Sequence, residues 1–273
     1  MIDLSNATFI IPIRIESADR MRNVITILCY LLQKFDTKVI LKEVDKESVF
    51  KNDVLPQIED YLGDSLSKLN HIFEKSDDPV FYRMKILNEM IDMVDTPVVV
   101  NYDCDVLLKP TTCLKSVEMT LSGHDIVYPY GFGEYQKQVF VNDDDVSDFI
   151  SFDFDFSILD SKSKMFDAQY GHVQFVNKSS YIEAGMENEN FRAYSPEDKE
   201  RFYRFSTMGY NVGRINDYVY HLEHYRGKNS WISNPYMREN FELWERIQKM
   251  DKDQLLEYYS SQDYLNKYGE NKK

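Results

Sequence analysis

Two aspartates that directly follow an apolar segment are the clearest candidates for chemistry in this sequence. Asp103 and Asp105 are separated by one residue and lie between the apolar runs 97–102 and 106–108. Carboxylates flanked by buried segments are costly unless something neutralises them. A hard divalent cation would do so, because it binds carboxylate oxygens and leaves positions for other oxygens, such as those of a diphosphate. The sequence therefore predicts a metal site at this point, with a solvated strand end as the alternative.

Asp-x-Asp alone is a weak pattern, because the chain is acidic and contains three further copies. They are Asp143 with Asp145, Asp153 with Asp155, and Asp251 with Asp253. We expect the copy at 143–145 in a solvated loop, and the alternation of residues 152–156 predicts a strand at an exposed edge. None of the three copies directly follows a strongly apolar strand, so none is predicted to bind metal.

The charge of the chain limits its partners. The 273 residues include 32 Lys and Arg but 46 Asp and Glu, which gives a net charge of −14. A chain with this balance repels nucleic-acid phosphates, so no nucleic-acid partner is expected. An anionic substrate would need a bound cation or a few well-placed Arg and Lys side chains.

The composition predicts one domain in a reducing compartment. Hydrophobic residues make up 43% and charged residues 29%, which is ordinary for a soluble globular protein. Cys29, Cys104 and Cys113 show neither a paired framework nor metal-ligand spacing, which favours the cytoplasm. No apolar run approaches the roughly 20 residues that cross a bilayer. We therefore expect no transmembrane segment, which leaves peripheral membrane association open.

Strands and helices alternate through the first half of the chain. Apolar runs predict strands at 7–14, 38–44, 71–73, 97–102 and 125–130, and helical spacing predicts helices from Ser17 and over 55–66, 79–93 and 112–121. This alternation predicts an α/β fold with a mainly parallel, Rossmann-like sheet and helices on both of its faces. A last helical region is predicted over 235–259.

The first turn from strand to helix contains no glycine, since the first glycine of the chain is Gly63. This absence removes the dinucleotide-binding fingerprint and the phosphate-binding P-loop. If a nucleotide binds, its phosphates must be neutralised in another way. The expected place is the crevice at the carboxyl ends of the strands.

A series of short motifs carries a specific resemblance. Residues 81–88 read Phe-Tyr-Arg-Met-Lys-Ile-Leu-Asn and precede the Asp103–Asp105 segment, and the opening strand ends in Pro-Ile-Arg. The other matches, in chain order, are 171–176, 181–185, 194–198 and 221–224. Together they resemble the beta-1,4-galactosyltransferase family and its bacterial relatives, within the GT-A glycosyltransferases. The matches extend from about residue 8 to residue 230.

The resemblance implies a GT-A fold and an inverting transfer of a hexose or N-acetylhexosamine from a UDP-sugar to a saccharide hydroxyl. It divides one domain, 1–273, into a nucleotide-sugar-binding half (1–130), an acceptor and catalytic half (131–234) and a helical extension (235–273). Asp198 would be the general base, within hydrogen-bond reach of the acceptor hydroxyl. Glu197 would orient the sugars, although both residues also suit a helix N-terminus.

The resemblance also implies a ligand set. Asp105 and His224 would bind the metal, and Asp103 would contact the ribose or a metal-bound water. His221 is the alternative ligand, because it lies three residues from His224 and either ring could face the site. A nitrogen donor beside carboxylates favours Mn²⁺, with Mg²⁺ as the alternative. The expected donor-binding residues are Pro12, Arg14, Arg83, Lys85, Asp103, Tyr194, Arg226 and Lys228.

Departures from the family pattern leave other functions open. Ser195 and Pro196 replace two glycines, Tyr194 replaces a tryptophan, and the membrane anchor and disulfides of eukaryotic members are absent. These features favour a cytoplasmic bacterial enzyme of surface-polysaccharide synthesis. The alternatives are a retaining transferase of the same fold and a non-catalytic sugar-nucleotide- or glycan-binding partner of a synthase. The missing phosphate loop makes an Mg²⁺-dependent phosphotransferase the weakest alternative.

Overall fold

The structure is a computed structural model that describes residues 1–227, 229 and 234–268. The strands are β1 (Ile2–Ile13), β2 (Phe35–Asp45), β3 (Leu69–Lys75), β4 (Val98–Tyr102), β5 (Val106–Leu107), β6 (Ile126–Tyr128), β7 (Gly133–Val139), β8 (Ser163–Ala168), β9 (Val173–Asn177), β10 (Val212–Arg214) and β11 (Val219–Leu222). The helices are α1 (Ala18–Lys34), α2 (Leu55–Leu62), α3 (Arg83–Met93), α4 (Pro110–Leu121), α5 (Asp143–Ser151), α6 (Phe156–Ser161), α7 (Lys178–Glu183), α8 (Glu197–Met208), α9 (Met237–Ile247) and α10 (Lys252–Ser260).

The central sheet has seven strands in the order β10-β6-β9-β4-β1-β2-β3. Neighbouring strands are parallel within the run β4-β1-β2-β3 and within the pair β10-β6. Strand β9 is antiparallel to both β4 and β6. The predicted α/β architecture with a mainly parallel sheet is therefore confirmed.

The core forms because apolar runs coincide with the central strands. All five residues of β4 are buried, and the last seven of β1 are buried as well. The ring of Phe9 on β1 lies 5.3 Å from that of Tyr102 and 6.1 Å from that of Phe175, which joins β1, β4 and β9. Helix α1 begins as predicted, with the Ser17 side chain accepting a hydrogen bond from Arg20 N. This packing fixes the carboxyl end of β4, where Asp103 follows.

A second sheet begins directly after this point. It has four strands in the order β5-β11-β7-β8, and only β11 and β7 are parallel neighbours. Strand β5 starts one residue after Asp105, so the turn between β4 and β5 lies where the two sheets meet. The backbone N–H of Leu222 donates to the carbonyl of Asp105 at 2.8 Å, which brings the end of β11 to this turn.

Two expectations for the acidic Asp-x-Asp copies are wrong. Residues 143–145 form the first turn of α5, where Asn142 and Asp145 make a capping box, rather than a loop. Residues 152–156 are not a strand, because Asp153 and Phe154 have φ values of 58° and 63° and the chain turns inward there. Phe154 is buried, and Asp155 caps the start of α6. Alternating aromatic and acidic residues thus mark a turn and a helix cap.

The predicted C-terminal helical region consists of two helices, α9 and α10. Asp251 caps the start of α10, and Gln254 completes the capping box. No helix in the described ranges is long and apolar enough to cross a membrane.

A buried ion pair joins the later elements to the sheet. Arg201 on α8 donates to Glu187 through Nε at 2.6 Å and through Nη2 at 2.7 Å, and both side chains are 1% exposed. Arg201 also donates to Gln174 on β9 at 3.1 Å. Asn88 on α3 binds both the N–H and the carbonyl of Glu187. Burial alone would raise the pKa of Glu187, but the Arg201 charge and hydrogen bonds hold this pKa below its usual value.

Arg201→Met would leave the Glu187 carboxylate buried without its partner. We expect the variant to lower the free energy of unfolding by about 3–5 kcal/mol. Arg238→Met is the matched control, since Arg238 is 90% exposed and pairs with Glu242 on the surface of α9. Urea denaturation should show no measurable change for the control, because solvent screens an exposed ion pair. Equal effects of the two substitutions would contradict the assigned role of the buried pair.

Candidate active site

One cavity of about 540 Å³ opens beside the turn between β4 and β5. It brings together most of the residues that the sequence singles out. They are Pro12, Arg14, Arg83, Asp103, Asp105, Tyr194, Glu197, Asp198, His221, His224 and Arg226. Residues more than 200 positions apart in the sequence therefore line the same cavity.

Asp105, His221 and His224 form a cluster that could hold a metal ion. The Asp105 carboxylate lies 2.9 Å from His224 Nε2 and 3.7 Å from His221 Nε2. One donor atom from each of the three residues lies within 4.8 Å of the others. The sequence left open which histidine faces the site. In the structure, both rings lie next to the Asp105 carboxylate. A carboxylate oxygen and two imidazole nitrogens suit a transition metal such as Mn²⁺.

Both histidines are oriented by acceptors on their other nitrogen. His221 Nδ1 lies 2.9 Å from the Glu223 carboxylate, and His224 Nδ1 lies 2.7 Å from the carbonyl oxygen of Tyr225. These oxygens can only accept, so Nδ1 carries the proton in each ring. Arg20 also approaches His224 Nδ1, at the longer distance of 3.4 Å. The Nε2 lone pairs are left for a cation, and such outer partners are typical of metal-binding histidines.

The electrostatics of the cluster favour an ionised carboxylate. Burial alone would raise the pKa of Asp105, but His221, His224 and Arg20 hold this pKa well below its ordinary value. Burial also works against a charged His221, yet Asp105 and Glu223 raise the pKa of His221. In the absence of an ion, His221 and Arg20 therefore supply positive charge next to the carboxylate.

Asp103 lies apart from this cluster. Its carboxylate accepts a hydrogen bond from Arg83 Nη2 at 2.6 Å, and its backbone N–H donates to the carbonyl of His172 at 3.0 Å. Burial raises the pKa of Asp103 although Arg83 opposes this shift. Arg83 Nη2 also donates to the side-chain oxygen of Asn101 at 3.4 Å, and the Asn101 amide donates to Gln174 at 3.1 Å. Asp103 is thus the end of the buried polar network that includes Arg201.

Glu197 and Asp198 begin α8 at another wall of the cavity. Glu197 Oε2 is buried and has no hydrogen-bond partner in the described part of the chain. Burial and the nearby Asp198 charge raise the pKa of Glu197 to about 7. A β-carbon added at Gly171 would lie 3.4 Å from Asp198 Oδ2, so this carboxylate is close to the segment that leads into β9.

The predicted donor-binding residues occupy different environments. Arg14 donates through Nε to the Val44 carbonyl at 2.8 Å and through Nη1 to the Pro79 carbonyl at 3.2 Å. Its Nη2 is buried without a partner among the described residues.

One other predicted donor-binding residue, Lys85, lies away from the cavity, and another falls outside the described residues. Lys85 pairs with Glu89 on the same helix at 2.7 Å and is not part of the cavity wall. Lys228 falls outside the described residues.

The sequence alone assigned no role to several residues of the cavity wall, among them Arg20, Gln136, Gln174 and Arg201. Arg20 lies 4.0 Å from Asp105, and Gln136, Gln174 and Arg201 also line the cavity. A position in the first turn of α1, after the carboxyl end of β1, could have pointed to Arg20. No comparable signal marks Gln136, because its role depends on where β7 lies, whereas Gln174 falls within the matched segment 171–176.

We expect Mn²⁺ to bind to the Asp105 cluster with an affinity that depends on its outer carboxylate. Glu223→Ala removes the acceptor that orients His221, so the affinity should fall about 10- to 100-fold. Glu242→Ala, on the surface of α9, should leave the affinity unchanged. Electron paramagnetic resonance titration of Mn²⁺ measures both variants. Equal affinities for the two variants would contradict the orientation of the cluster.

No protein-family model matches the sequence, and no curated protein matches it either. Among solved structures, GalNAc-T7 with UDP, GalNAc and Mn²⁺ is similar, with a TM-score of 0.60 and 11% identity over 93% of this chain and 50% of that chain. The chain thus spans about half the length of GalNAc-T7.

A second solved structure of similar fold is the mannosyltransferase PcManGT from Pyrobaculum calidifontis in complex with GDP-Man and Mn²⁺. It has a TM-score of 0.55 and 14% identity over 96% of this chain and 70% of that chain. Likeness at such identities shows the fold. The expected fold is confirmed: the chain has the mixed α/β architecture of the GT-A glycosyltransferases.

Proposed function

We propose that this protein is a metal-dependent inverting glycosyltransferase that moves a hexose or N-acetylhexosamine from a UDP-sugar to a saccharide hydroxyl. The observation that carries this proposal is the presence of two groups in one cavity. The Asp105–His221–His224 cluster suits a divalent cation, and Asp198 is a carboxylate able to accept a proton. The resemblance to beta-1,4-galactosyltransferases and their bacterial relatives supports a role in surface-polysaccharide synthesis.

The donor side of the site must neutralise a diphosphate in a strongly acidic chain. The donor set of Asp105, His221 and His224 fits Mn²⁺, because both Nε2 atoms face the carboxylate. When bound, the cation would stabilise the negative charge of the departing diphosphate. Arg226 also lines this part of the cavity and could meet a phosphate oxygen.

Binding of the nucleoside requires polar groups of the protein that are not already hydrogen-bonded within the protein. Arg14 provides one, since its buried Nη2 has no partner in the described ranges while its other nitrogens are fixed. A buried donor left unpaired is costly, so a ligand acceptor at this point would be favourable. Pro12, at the end of β1, lies beside it in the wall. We assign this end of the cavity to the UDP moiety.

Asp198 performs the proton transfer in this proposal. The acceptor hydroxyl oxygen attacks the anomeric carbon and forms the new glycosidic bond, while the bond from that carbon to the diphosphate oxygen breaks. Asp198 takes the hydroxyl proton, and UDP leaves with the electron pair of the broken bond. Attack from the side opposite the leaving group inverts the anomeric configuration.

Glu197 is suited to hold a sugar hydroxyl beside the base. Its pKa of about 7 keeps a substantial fraction protonated near neutral pH, so its carboxyl can both donate and accept a hydrogen bond. Oε2 has no protein partner in the described ranges.

The two solved structures of similar fold contain UDP with GalNAc and GDP-Man, respectively, which supports a sugar nucleotide as the donor for this cavity.

The experiment is a screen of UDP-glucose, UDP-galactose and their N-acetylhexosamine forms for hydrolysis and for transfer to saccharide acceptors with Mn²⁺. Asp198→Asn should lower kcat about 10²- to 10⁴-fold, because the proton acceptor is lost, while UDP affinity remains unchanged. Asp144→Asn is the matched control, since Asp144 is an exposed aspartate in the first turn of α5.

The NMR spectrum of the product gives its anomeric configuration. An inverted product that disappears with Asp198→Asn but not with Asp144→Asn is the expected result. A retained configuration would reassign Asp198 and overturn the inverting mechanism. Equal activity of the two variants would remove Asp198 from the reaction.

A further inference from the structure

His172 has an unusual backbone conformation for its residue type. It lies between Gly171 and the start of β9, lines the cavity, and has a φ of +65°. This left-handed region favours glycine, and a residue with a side chain is strained there. Ala193 and Ser195, at φ values of 59° and 55°, also line the cavity. Strained positions of this kind cluster where function requires a particular side-chain placement.

The ring of His172 lies beside the metal cluster, since its centroid is 5.6 Å from that of His221. The preceding residue, Gly171, is close to the proposed base, because Asp198 Oδ2 lies 3.4 Å from the position of a β-carbon added at Gly171. The His172 carbonyl accepts the N–H of Asp103 at 3.0 Å, which fixes the backbone at this point. The backbone that carries the imidazole is therefore fixed at the cavity wall.

Gln136 fixes the orientation of this imidazole. Gln136 is 5% exposed in β7, and its Oε1 lies 3.0 Å from His172 Nε2. An amide oxygen can only accept, so Nε2 carries the proton and Nδ1 has the free lone pair. Nδ1 has no hydrogen-bond partner within the described part of the chain. The ring thus offers one oriented acceptor atom.

We propose that His172 is a specificity-determining residue whose Nδ1 accepts a hydrogen bond from a hydroxyl of the transferred sugar. This inference rests on the proposed function. In any such transfer the anomeric carbon is bonded to the diphosphate and approached by the acceptor oxygen. The sugar must therefore lie in this cavity between the Asp105 cluster and Asp198, and His172 lines the same cavity next to His221. Gln136 acts as a positioning residue for this contact.

Calorimetry with UDP and with UDP-sugars separates this role from the others. The probes are UDP, UDP-glucose, UDP-galactose, UDP-GlcNAc and UDP-GalNAc, each titrated with Mn²⁺ into wild type and His172→Gly. Glycine accepts the backbone conformation, so the variant should melt at the wild-type temperature or above. His124→Ala is the control, because His124 is a partly buried histidine outside the cavity wall.

We expect His172→Gly to bind UDP like wild type and to bind the preferred UDP-sugar about 3- to 10-fold more weakly, which is the effect of one lost hydrogen bond. Gln136→Leu should show part of the same loss, and Gln136→Glu, which keeps an acceptor, should restore the affinity. His124→Ala should change neither affinity.

Two outcomes would overturn the inference. An equal loss of affinity for UDP and UDP-sugar would show that His172 acts on the metal or the nucleotide. An unchanged affinity for every UDP-sugar would show that the ring touches no sugar. Absence of UDP binding by folded wild type would instead overturn the proposed function, and this inference with it.

Discussion

Asp105 is 6% exposed, and a carboxylate at this depth is costly unless positive or hydrogen-bonding groups surround it. The fold supplies those groups from distant parts of the chain. His221 and His224 arrive from the end of β11, and Arg20 comes from the first turn of α1. Asn23 on α1 donates to the Leu222 carbonyl at 2.9 Å and so ties the helix to β11. Neutralising one buried charge thereby joins the two sheets and shapes the cavity.

The same cavity retains features that lower stability. Arg14 Nη2 and Glu197 Oε2 are buried without partners in the described ranges, and a buried unsatisfied polar atom costs about 1–3 kcal/mol. His172 adds a left-handed backbone, which costs about 1 kcal/mol more. Features of this kind persist where binding or catalysis requires them. The buried Arg201–Glu187 pair and the aromatic core beneath β4 offset these costs and keep the walls of the cavity in place.

The sequence was most informative where one physical signal dominated. Continuous apolar runs predicted the parallel strands, and the position of Asp105 after such a run predicted the buried carboxylate. The second sheet was not foreseen, because β7 and β8 are partly exposed and rich in polar residues, so no apolar run marks them. Histidines three residues apart gave no indication that a turn after β11 would aim both rings at one carboxylate. Gln136 could not be found, since its role arises only when β7 lies beside His172.

The most direct test of this account is calorimetric titration of UDP into wild type and Asp105→Ala, each with Mn²⁺ and with EDTA. The account predicts binding only for wild type with Mn²⁺, because the acidic chain needs the cation to hold a diphosphate at this cluster. Circular dichroism would verify that the variant is folded. UDP binding by wild type that is equally strong in EDTA would contradict the account, as would the absence of binding by folded wild type under every condition.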